Sequence, residues 1–385
     1  MNEQLVRKTY KYKLKPTPEQ EQAMAFVLRR CRELYNAALH ERKEAWQKCH
    51  VSVTVAQQGA QLPAIKEVRP EYRDIHSQVL QDVLTRLDRA FQRFFARVKA
   101  GETPGYPRFQ GVNRYNSFTH KQVGDHGGAR LDNGFLVLSR IGRITVRWSR
   151  PLEGAPKTVT ISREVDGWYV CFSCVDVPIQ LSPTTGRETG IDLGLEAFAT
   201  LSDGTRIFNP GWYRTAKRAL KTAQRRVSRR KKGSNRRRKA VTLLAKTHQK
   251  VRRQRQDFHH KTALVREHDT VYHENLQVRN MVRNHHLAKS ISDAAWSQFL
   301  SILSFKAACA GRRVVAVDPA FTSQICSGCG VMVQKGLSVR WHSCPECGTS
   351  LHRDHNAAKN REWAGQALRG GVAVVASENR ESIGL

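Results

Sequence analysis

Two Cys-x-x-Cys pairs near the end of the chain constrain its folding more than any other feature of the sequence. They are Cys326-Ser-Gly-Cys329 and Cys344-Pro-Glu-Cys347, with fourteen residues between them and a glycine after each pair. Two such turns present four thiolates tetrahedrally to one Zn²⁺, and the glycine relieves the tight backbone. The alternative interpretation is four unrelated buried cysteines. Because four protein ligands leave no position open for water, the pattern predicts one structural Zn²⁺ rather than a catalytic one.

The other five cysteines are scattered and odd in number, which favours a reducing compartment over a disulfide framework. They are Cys31, Cys49, Cys171, Cys174 and Cys309. Cys171 and Cys174 fall inside a predicted strand, where positions three apart point to opposite faces. We therefore expect these two to be ordinary strand residues rather than ligands of one ion.

The charge balance of the chain points to a polyanionic partner. The sequence has 65 Lys and Arg against 33 Asp and Glu, a formal net charge of +32. So many positive charges repel one another in a compact protein unless a partner supplies negative charge. The chain is not expected to be disordered, because 40% of its residues are hydrophobic. Nucleic acid is the leading candidate for the partner, and an anionic membrane surface is the second. No apolar run approaches the ~18 residues of a membrane span, so we expect none.

Much of that positive charge is concentrated in one stretch. From Arg214 to Lys261 the chain has 20 Lys and Arg and a single acid, Asp257. Charge runs are usually solvated faces, and a nuclear localisation signal is another use of them. Because basic residues outnumber acids so strongly on these two predicted helices, we favour contact with nucleic-acid phosphates over both alternatives. The candidate nucleic-acid-binding residues are Arg225, Arg226, Arg229, Arg230, Arg236, Arg237 and Arg238.

The N-terminal part of the sequence predicts a strand followed by helices. The alternation over Val6–Leu14 indicates the strand. Thr17-Pro18-Glu19-Gln20 has the residues of a capped helix start, and the helix is expected to reach about Trp46. Residues 51–70 are expected to be a connection. A second amphipathic helix is predicted over about His76–Lys99.

From Gly101 the sequence becomes rich in Gly, Pro and alternating residues, which predicts a small β-barrel. Its expected strands are Phe135–Leu138, Ile144–Trp148, Thr158–Ile161 and Trp168–Val177.

A new domain is predicted to begin at Gly190, after a polar linker. Three strands in a meander are followed by a long helical stretch, which Gly233-Ser234-Asn235 is expected to break into a hairpin. A strand, a helix, another strand and a last helix then follow. The expected ranges are Gly190–Leu193, Ala197–Leu201 and Thr205–Phe208 for the meander, about Tyr213–Val265 for the helical stretch, Thr270–His273, about Asp293–Ala310, Arg313–Val317 and a helix from about Asp354. This order of elements is that of an RNase H-like fold.

Three acids lie at positions that suit a metal site. Asp192 is in the middle of Gly190-Ile-Asp-Leu-Gly194, where an unpaired acid would be costly to bury. Glu274 ends a predicted strand and Asp354 starts a predicted helix. Phosphodiester hydrolysis can use two divalent cations, and Mg²⁺ prefers oxygen ligands, so a few carboxylates suffice. The alternatives are a helix N-cap for Asp354 and a solvated strand end for Glu274.

Together these motifs resemble the TnpB family of transposon-encoded proteins, relatives of the type V CRISPR effectors. The resemblance covers the C-terminal half densely and the N-terminal half loosely. It is carried by Gly190-Ile-Asp-Leu-Gly194, Glu274-Asn-Leu276, Thr322-Ser-Gln-Ile-Cys-Ser-Gly-Cys-Gly330, the second Cys pair and Asp354-His-Asn-Ala-Ala358, with Tyr10–Gln20 and Tyr106-Pro-Arg-Phe109 in the first half. His352 is a departure, because many members have an acid there.

The resemblance implies a multidomain α/β protein. Its RNase H-like (RuvC) nuclease domain contains an inserted zinc ribbon and is preceded by a β-barrel (WED-like) that carries a helical (REC-like) insertion. The implied domains are residues 1–15 (first barrel strand), 16–103 (helical recognition domain), 104–183 (remainder of the barrel), 184–320 (RuvC-like domain, first part), 321–351 (zinc ribbon), 352–368 (final RuvC-like helix) and 369–385 (C-terminal tail).

The resemblance also implies an RNA-guided DNA endonuclease, with a guide RNA from the transposon end and cleavage of double-stranded DNA beside a short adjacent motif. Asp192, Glu274 and Asp354 would be the catalytic acids and would bind two Mg²⁺. Cys326, Cys329, Cys344 and Cys347 would bind one Zn²⁺. A monomer in the prokaryotic cytoplasm, associated with the nucleoid, would fit. The alternatives are a transposition regulator that binds nucleic acid without guided cleavage, and a recombinase that joins strands itself, for which no catalytic Tyr or Ser motif stands out.

Overall fold

A computed structural model describes residues 5–125, 127–179, 181–336 and 338–369 of the chain. The chain divides into two compact units, one ending at Pro178 and the other beginning at Ile179. The predicted C-terminal tail lies outside the described residues, apart from Arg369. In the part of the chain that is described, no helix combines the length and the apolar character needed to cross a membrane.

The first unit is a seven-stranded antiparallel sheet with a helical insertion after its first strand. The insertion follows β1 (Leu5–Lys15) and comprises α1 (Pro18–Cys49), α2 (Val55–Ala60), α3 (Leu62–Val68) and α4 (Ser77–Lys99). The later strands are β2 (Ser117–His120), β3 (Ala129–Asp132), β4 (Phe135–Leu138), β5 (Gly142–Arg147), β6 (Ala155–Glu164) and β7 (Gly167–Pro178). The strand order is β2-β6-β7-β1-β5-β4-β3, so β1 lies in the middle of the sheet. Whether this sheet closes as a barrel stays a prediction.

Local signals explain where the helices of this unit begin. The predicted capping box is present, because Thr17 accepts a hydrogen bond from the backbone of Gln20 and the Gln20 side chain accepts one from the backbone of Thr17. The prediction that residues 51–70 form only a connection is wrong, because α2 and α3 lie there. A second capping box, between Thr54 and Gln57, starts α2.

The strands of this unit follow the alternation of the sequence. Tyr10, Tyr12 and Leu14 of β1 point into the core, with exposed or half-buried residues between them. Four predicted strands correspond to β4, β5, β6 and β7, whereas β2 and β3 were not predicted. Cys174 is fully buried and Cys171 is on the other face of β7, which confirms that they are ordinary strand residues.

The second unit contains the predicted elements in their predicted order, together with short elements that were not predicted. Its strands are β8 (Glu188–Asp192), β9 (Ala197–Leu201), β10 (Arg206–Phe208), β11 (Thr270–Glu274), β12 (Arg313–Val317), β13 (Trp341–Ser343) and β14 (Ser350–His352). Its helices are α5 (Trp212–Ser228), α6 (Asn235–Thr262), α7 (Val278–Met281), α8 (Ala288–Ala294), α9 (Trp296–Ala310) and α10 (Arg353–Arg369). The predicted hairpin break lies between α5 and α6. The helix expected from Asp293 begins at Trp296 instead, because Asp293 belongs to the unpredicted α8.

The main sheet of this unit has the order β10-β9-β8-β11-β12. Strands β10, β9 and β8 are antiparallel, and β8, β11 and β12 are parallel. Helix α10 packs closely on β8 and β11 at two glycines. A Cβ on Gly190 would lie 2.0 Å from the carbonyl oxygen of Ala358, and one on Gly365 would lie 1.9 Å from Cδ1 of Tyr272. This close approach brings the first turn of α10 to the carboxyl ends of both strands.

Candidate active site

The structure brings the three predicted acids together. Asp192 ends β8 and Glu274 ends β11, and the parallel register pairs Ile191 with His273 immediately before them. Asp354 lies in the first turn of α10. The Oδ2 atoms of Asp192 and Asp354 lie 3.9 and 3.8 Å from the point that a Cβ on Gly194 would occupy. Two strand ends and one helix start therefore supply a cluster of carboxylates.

The three carboxylates are largely removed from water. The side chains of Asp192, Glu274 and Asp354 are 14%, 13% and 10% exposed. Burial raises the pKa of Glu274, with Arg361 opposing the rise and Asp192 adding to it. Burial also raises the pKa of Asp354, and the charge of Asp192 acts in the same direction. Carboxylates clustered in a site that is largely shielded from water repel one another, and a bound cation would relieve this repulsion.

The position of Asp354 does not match a helix N-cap. It is the second residue of α10, after Arg353, and no backbone N–H of the described residues donates to its carboxylate. Its own backbone N–H donates to Nδ1 of His352 at 3.2 Å. The carboxylate of Asp354 is therefore free to serve a ligand, and His352 satisfies one of the open N–H groups at the helix start.

Arg361 is a site residue that the sequence analysis missed. Its side chain is 4% exposed, and its guanidinium donates to Oδ1 of Asp192 and, at 2.8 Å, to Oε2 of Glu274. It follows Asp354 by seven residues on α10, which is two helical turns and hence the same face. That spacing was the signal that could have indicated it.

Two further side chains lie beside Asp354. Glu196, His352 and Asp354 offer ligand atoms that all lie within 4.8 Å of one another. Glu196 is exposed and accepts a hydrogen bond from Arg206 at 2.6 Å. His352 stands out in the sequence only as a departure from the family pattern, and Glu196 was not predicted.

The four predicted zinc ligands also converge, and their geometry fits the ion. The Sγ atoms of Cys326 and Cys347 are 3.6 Å apart, and those of Cys329 and Cys344 are 3.5 Å apart. Tetrahedral zinc with Zn–S bonds of ~2.3 Å needs sulfur separations of ~3.8 Å. The glycines that follow the pairs have φ of +79° at 330 and +69° at 348, as the tight turns require.

The four-cysteine cluster is joined to α10 by two buried asparagines one helical turn apart. Asn356 accepts from the backbone N–H of Ser327 at 2.9 Å and donates to the carbonyl of Ile325 at 2.7 Å. Asn360 donates to Ile325 and Thr322 at 2.7 and 2.8 Å. Because α10 also carries Asp354, the first cysteine turn and the acid cluster share one rigid element.

The seven predicted phosphate-binding arginines do not form a uniform set. They lie on the α5–α6 hairpin or its turn, and all are exposed except Arg237. Arg237 donates to the carbonyls of Val227 and Arg230 at 2.8 and 3.0 Å, at the end of α5. Arg237 therefore closes the hairpin, while Arg236 and Arg238 face solvent. The single acid of the stretch, Asp257, pairs with Lys261 at 2.8 Å.

Comparisons with known proteins match this chain along nearly all of its length. Three family profiles match: a helix-turn-helix domain at residues 1–50, the OrfB_IS605 family, described as a probable transposase, at 172–285, and the Cas12f1-like TNB domain at 296–361. A Streptomyces pristinaespiralis protein is 38% identical over 374 residues, which is 94% of this chain and 90% of that protein. An Escherichia coli K12 protein, InsQ, is 30% identical over 385 residues, 93% and 92% of the two chains. Both are named "Putative RNA-guided DNA endonuclease".

Among solved structures, Cas12f1 in a complex with single guide RNA and target DNA is similar with a TM-score of 0.58 and 13% identity. The similarity covers 93% of this chain and 99% of that one, and it supports a shared mixed α/β fold. A mimivirus "TnpB-like protein L79" is 28% identical over 235 residues, 55% of this chain and 44% of that protein. With near full-length relatives, three matching profiles and both motif sets in place, the chain belongs to the TnpB family of transposon-encoded proteins.

Proposed function

We propose that this protein is a transposon-encoded, RNA-guided DNA endonuclease that hydrolyses phosphodiester bonds with divalent metal ions. The observation that carries the proposal is the convergence of Asp192, Glu274 and Asp354 from two strand ends and a helix start. Its near full-length relatives are named as RNA-guided DNA endonucleases, which supports the same activity here. A regulator that only binds nucleic acid would have no need of three largely buried acids in one cluster.

The donor set fits Mg²⁺. The three acids supply only carboxylate oxygens, the ligands that Mg²⁺ prefers, and three protein ligands are consistent with an ion that keeps several waters. Two such ions, held by these acids, would supply activation of a water nucleophile and stabilisation of the leaving oxygen. The chain's own contribution is to fix the carboxylates: β8 and β11 hold Asp192 and Glu274 side by side, and α10 brings Asp354 over the same edge.

The zinc ribbon has a structural role in this proposal. Four cysteines complete a tetrahedral site and leave no position for water or substrate. The contacts of Asn356 and Asn360 with the first cysteine turn connect the ribbon to α10. A bound zinc would therefore steady the helix that presents Asp354.

The nucleic acids would occupy separate basic surfaces. We assign the guide RNA and its DNA heteroduplex to the exposed arginines of the α5–α6 hairpin, which can contact phosphates without reading sequence. In the first unit we assign the sheet of β1–β7 as WED-like and α1–α4 as the REC-like insertion. This unit would read the short adjacent DNA motif.

Acid-to-alanine variants test the catalytic assignment. With RNA-loaded protein and a matching plasmid in Mg²⁺, Asp192→Ala, Glu274→Ala and Asp354→Ala should each abolish cleavage, because each removes a metal ligand. RNA and DNA binding should persist, since the basic surfaces are unchanged. Asp203→Ala is the matched control, because Asp203 is an exposed turn acid of the same unit that accepts from the backbone of Thr205. Cleavage by Asp354→Ala at the rate of the unaltered protein would remove Asp354 from the site.

A further inference from the structure

We propose that Arg361 is the positioning residue of the metal site: its guanidinium holds one oxygen of Asp192 and one of Glu274, which leaves the second oxygen of each for the ion. The inference rests on the proposed function, because it requires these two acids to bind divalent ions. It adds a residue that neither the motifs nor the acid cluster itself assigns.

The contacts of Arg361 are those of a clamp across two neighbouring strands. One terminal nitrogen, Nη1, donates to Oδ1 of Asp192 and to the carbonyl of Ile191 at 3.3 Å, and the other, Nη2, donates to Oε2 of Glu274 at 2.8 Å. The side chain is 4% exposed, so these bonds form away from competing water. A planar guanidinium can bridge two carboxylates in this way because its donors have a fixed fork geometry.

The oxygen of Asp192 that Arg361 leaves free lies near an oxygen of Asp354. Oδ2 of Asp192, the oxygen that Arg361 does not hold, lies near Gly194, where Oδ2 of Asp354 also lies. Gly194 offers no side chain to fill that space. Arg361 therefore bonds one oxygen of Asp192 and leaves the other near Oδ2 of Asp354, where one ion could contact both acids.

Removing Arg361 would have two opposing effects on metal affinity. Its positive charge repels a cation, so losing that charge alone would tighten metal binding. Its hydrogen bonds fix the ligands, and losing such an outer partner typically weakens metal binding by about 10–100-fold. We expect the second effect to dominate, because without the clamp two adjacent carboxylates repel each other and lose their common orientation.

Substitutions of Arg361 separate charge from geometry. Arg361→Lys keeps the positive charge but loses the fork, and Arg361→Met loses both. Arg312→Lys is a matched control, because Arg312 is equally buried in the same unit and bonds Asp269 and the carbonyl of Pro183 away from the acids. It measures what the loss of any buried guanidinium does to the fold.

The test is Mn²⁺ binding to the full-length, zinc-loaded protein freed of nucleic acid, followed by electron paramagnetic resonance and by calorimetry. Arg361→Lys and Arg361→Met should bind Mn²⁺ about 10–100-fold more weakly than the unaltered protein, and Arg312→Lys should bind it equally well. Circular dichroism shows which variants fold. If Arg361→Met does not fold, the Mn²⁺ affinity of Arg361→Lys alone tests the positioning role.

The outcomes distinguish this inference from the proposed function. Unchanged Mn²⁺ affinity in Arg361→Lys, or tighter binding in Arg361→Met, would overturn the positioning role and leave Arg361 as a charge alone. The metal-site proposal itself predicts that the unaltered protein binds Mn²⁺ and that Asp192→Ala abolishes this binding. If either result fails, the metal-site proposal is wrong, rather than the role of Arg361.

Discussion

Asp192 and Glu274 owe their proximity to the pairing of two parallel strands, and Asp354 owes its position to two glycines. A side chain at either Gly190 or Gly365 would collide with α10 or with Tyr272, so the helix could not reach the strand ends. The geometry of the candidate site therefore depends on Gly190 and Gly365, which have no functional side chain of their own. Substitution of these glycines would displace Asp354 without altering any acid.

The burial of His120 in the first unit leads us to expect that the protein loses stability in mild acid. It is 1% exposed, neither ring nitrogen has a partner among the described residues, and its ring lies 5.7 Å from that of His76. Burial lowers its pKa to about 4, and His76 acts in the same direction. The unfolded chain takes up the proton near pH ~6.5 and the folded chain only near 4, so stability present above pH ~6.5 is lost as pH falls between these values.

The measurement is the thermal midpoint of the full chain at pH 7 and pH 5. The loss of stability on acidification should be smaller in His120→Leu than in the unaltered protein, whereas His40→Leu, at an exposed position on α1, should show the full loss. An equal loss in His120→Leu would mean that other groups control the acid response.

The sequence could predict the acids of the site but not the residue that holds them. Asp192 and Glu274 were visible because an acid that interrupts or ends an apolar strand is unusual. The seven-residue spacing places Arg361 on the same helix face as Asp354, but it does not indicate which acids Arg361 bonds, because those partners are 169 and 87 positions away in sequence and only the packing of α10 brings them together. Glu196 was missed for the same reason.

The zinc ribbon is the element in which sequence and structure agree most directly, because its four ligands are local. We predict one tightly held Zn²⁺ per chain. Cys326→Ser should lose it and unfold the ribbon, since a structural zinc can contribute on the order of 10 kcal/mol of folding free energy. Elemental analysis and limited proteolysis measure both effects, with Cys49→Ser as the control because Cys49 is an exposed cysteine of the first unit. Freshly purified protein without zinc would contradict the site.

If the exposed arginines of the α5–α6 hairpin contact phosphates, nucleic-acid affinity should fall steeply as the salt concentration rises. Each phosphate contact releases counterions and adds about 0.9 to the slope of log affinity against log salt on duplex DNA. Replacing the exposed Arg236 and Arg238 with alanine should flatten this slope and weaken binding to all sequences alike. Arg237 is left intact, because its bonds to Val227 and Arg230 close the hairpin.

The control for the hairpin is the charge-preserving pair Arg236→Lys and Arg238→Lys, which should keep the slope. Fluorescence anisotropy from low to high salt on two unrelated duplexes provides the data. A slope that the alanine pair leaves unchanged would place the phosphate contacts elsewhere.

Secondary structure was predictable where local signals were strong. The ranges of β4 and β12 were predicted to the residue, because continuous apolar runs bounded by turns define them. Helices α2, α3 and α8 have six or seven residues each and were missed, because so few turns show little periodicity. Strands β2 and β3, with four residues each, were missed for the same reason.

The molecule as a whole combines a net charge of +32 with a cluster of buried acids in its second unit. A surface this basic attracts polyanions in general and selects no sequence. Protein contacts with phosphates would thus supply affinity, and sequence choice would come from base pairing with the guide RNA. The proposed function therefore depends most on whether the guide RNA selects the DNA sequence that is cut.

The most direct test of that claim is to exchange the guide segment of the bound RNA and map the DNA cuts by sequencing. The unaltered protein is loaded with either of two RNAs that differ only in the guide, and each complex is offered one plasmid containing both matching sites beside the same adjacent motif. The cuts should move with the guide and vanish in Asp192→Ala. Cuts that remain at the original site after the exchange would contradict RNA guidance and leave an unguided nuclease.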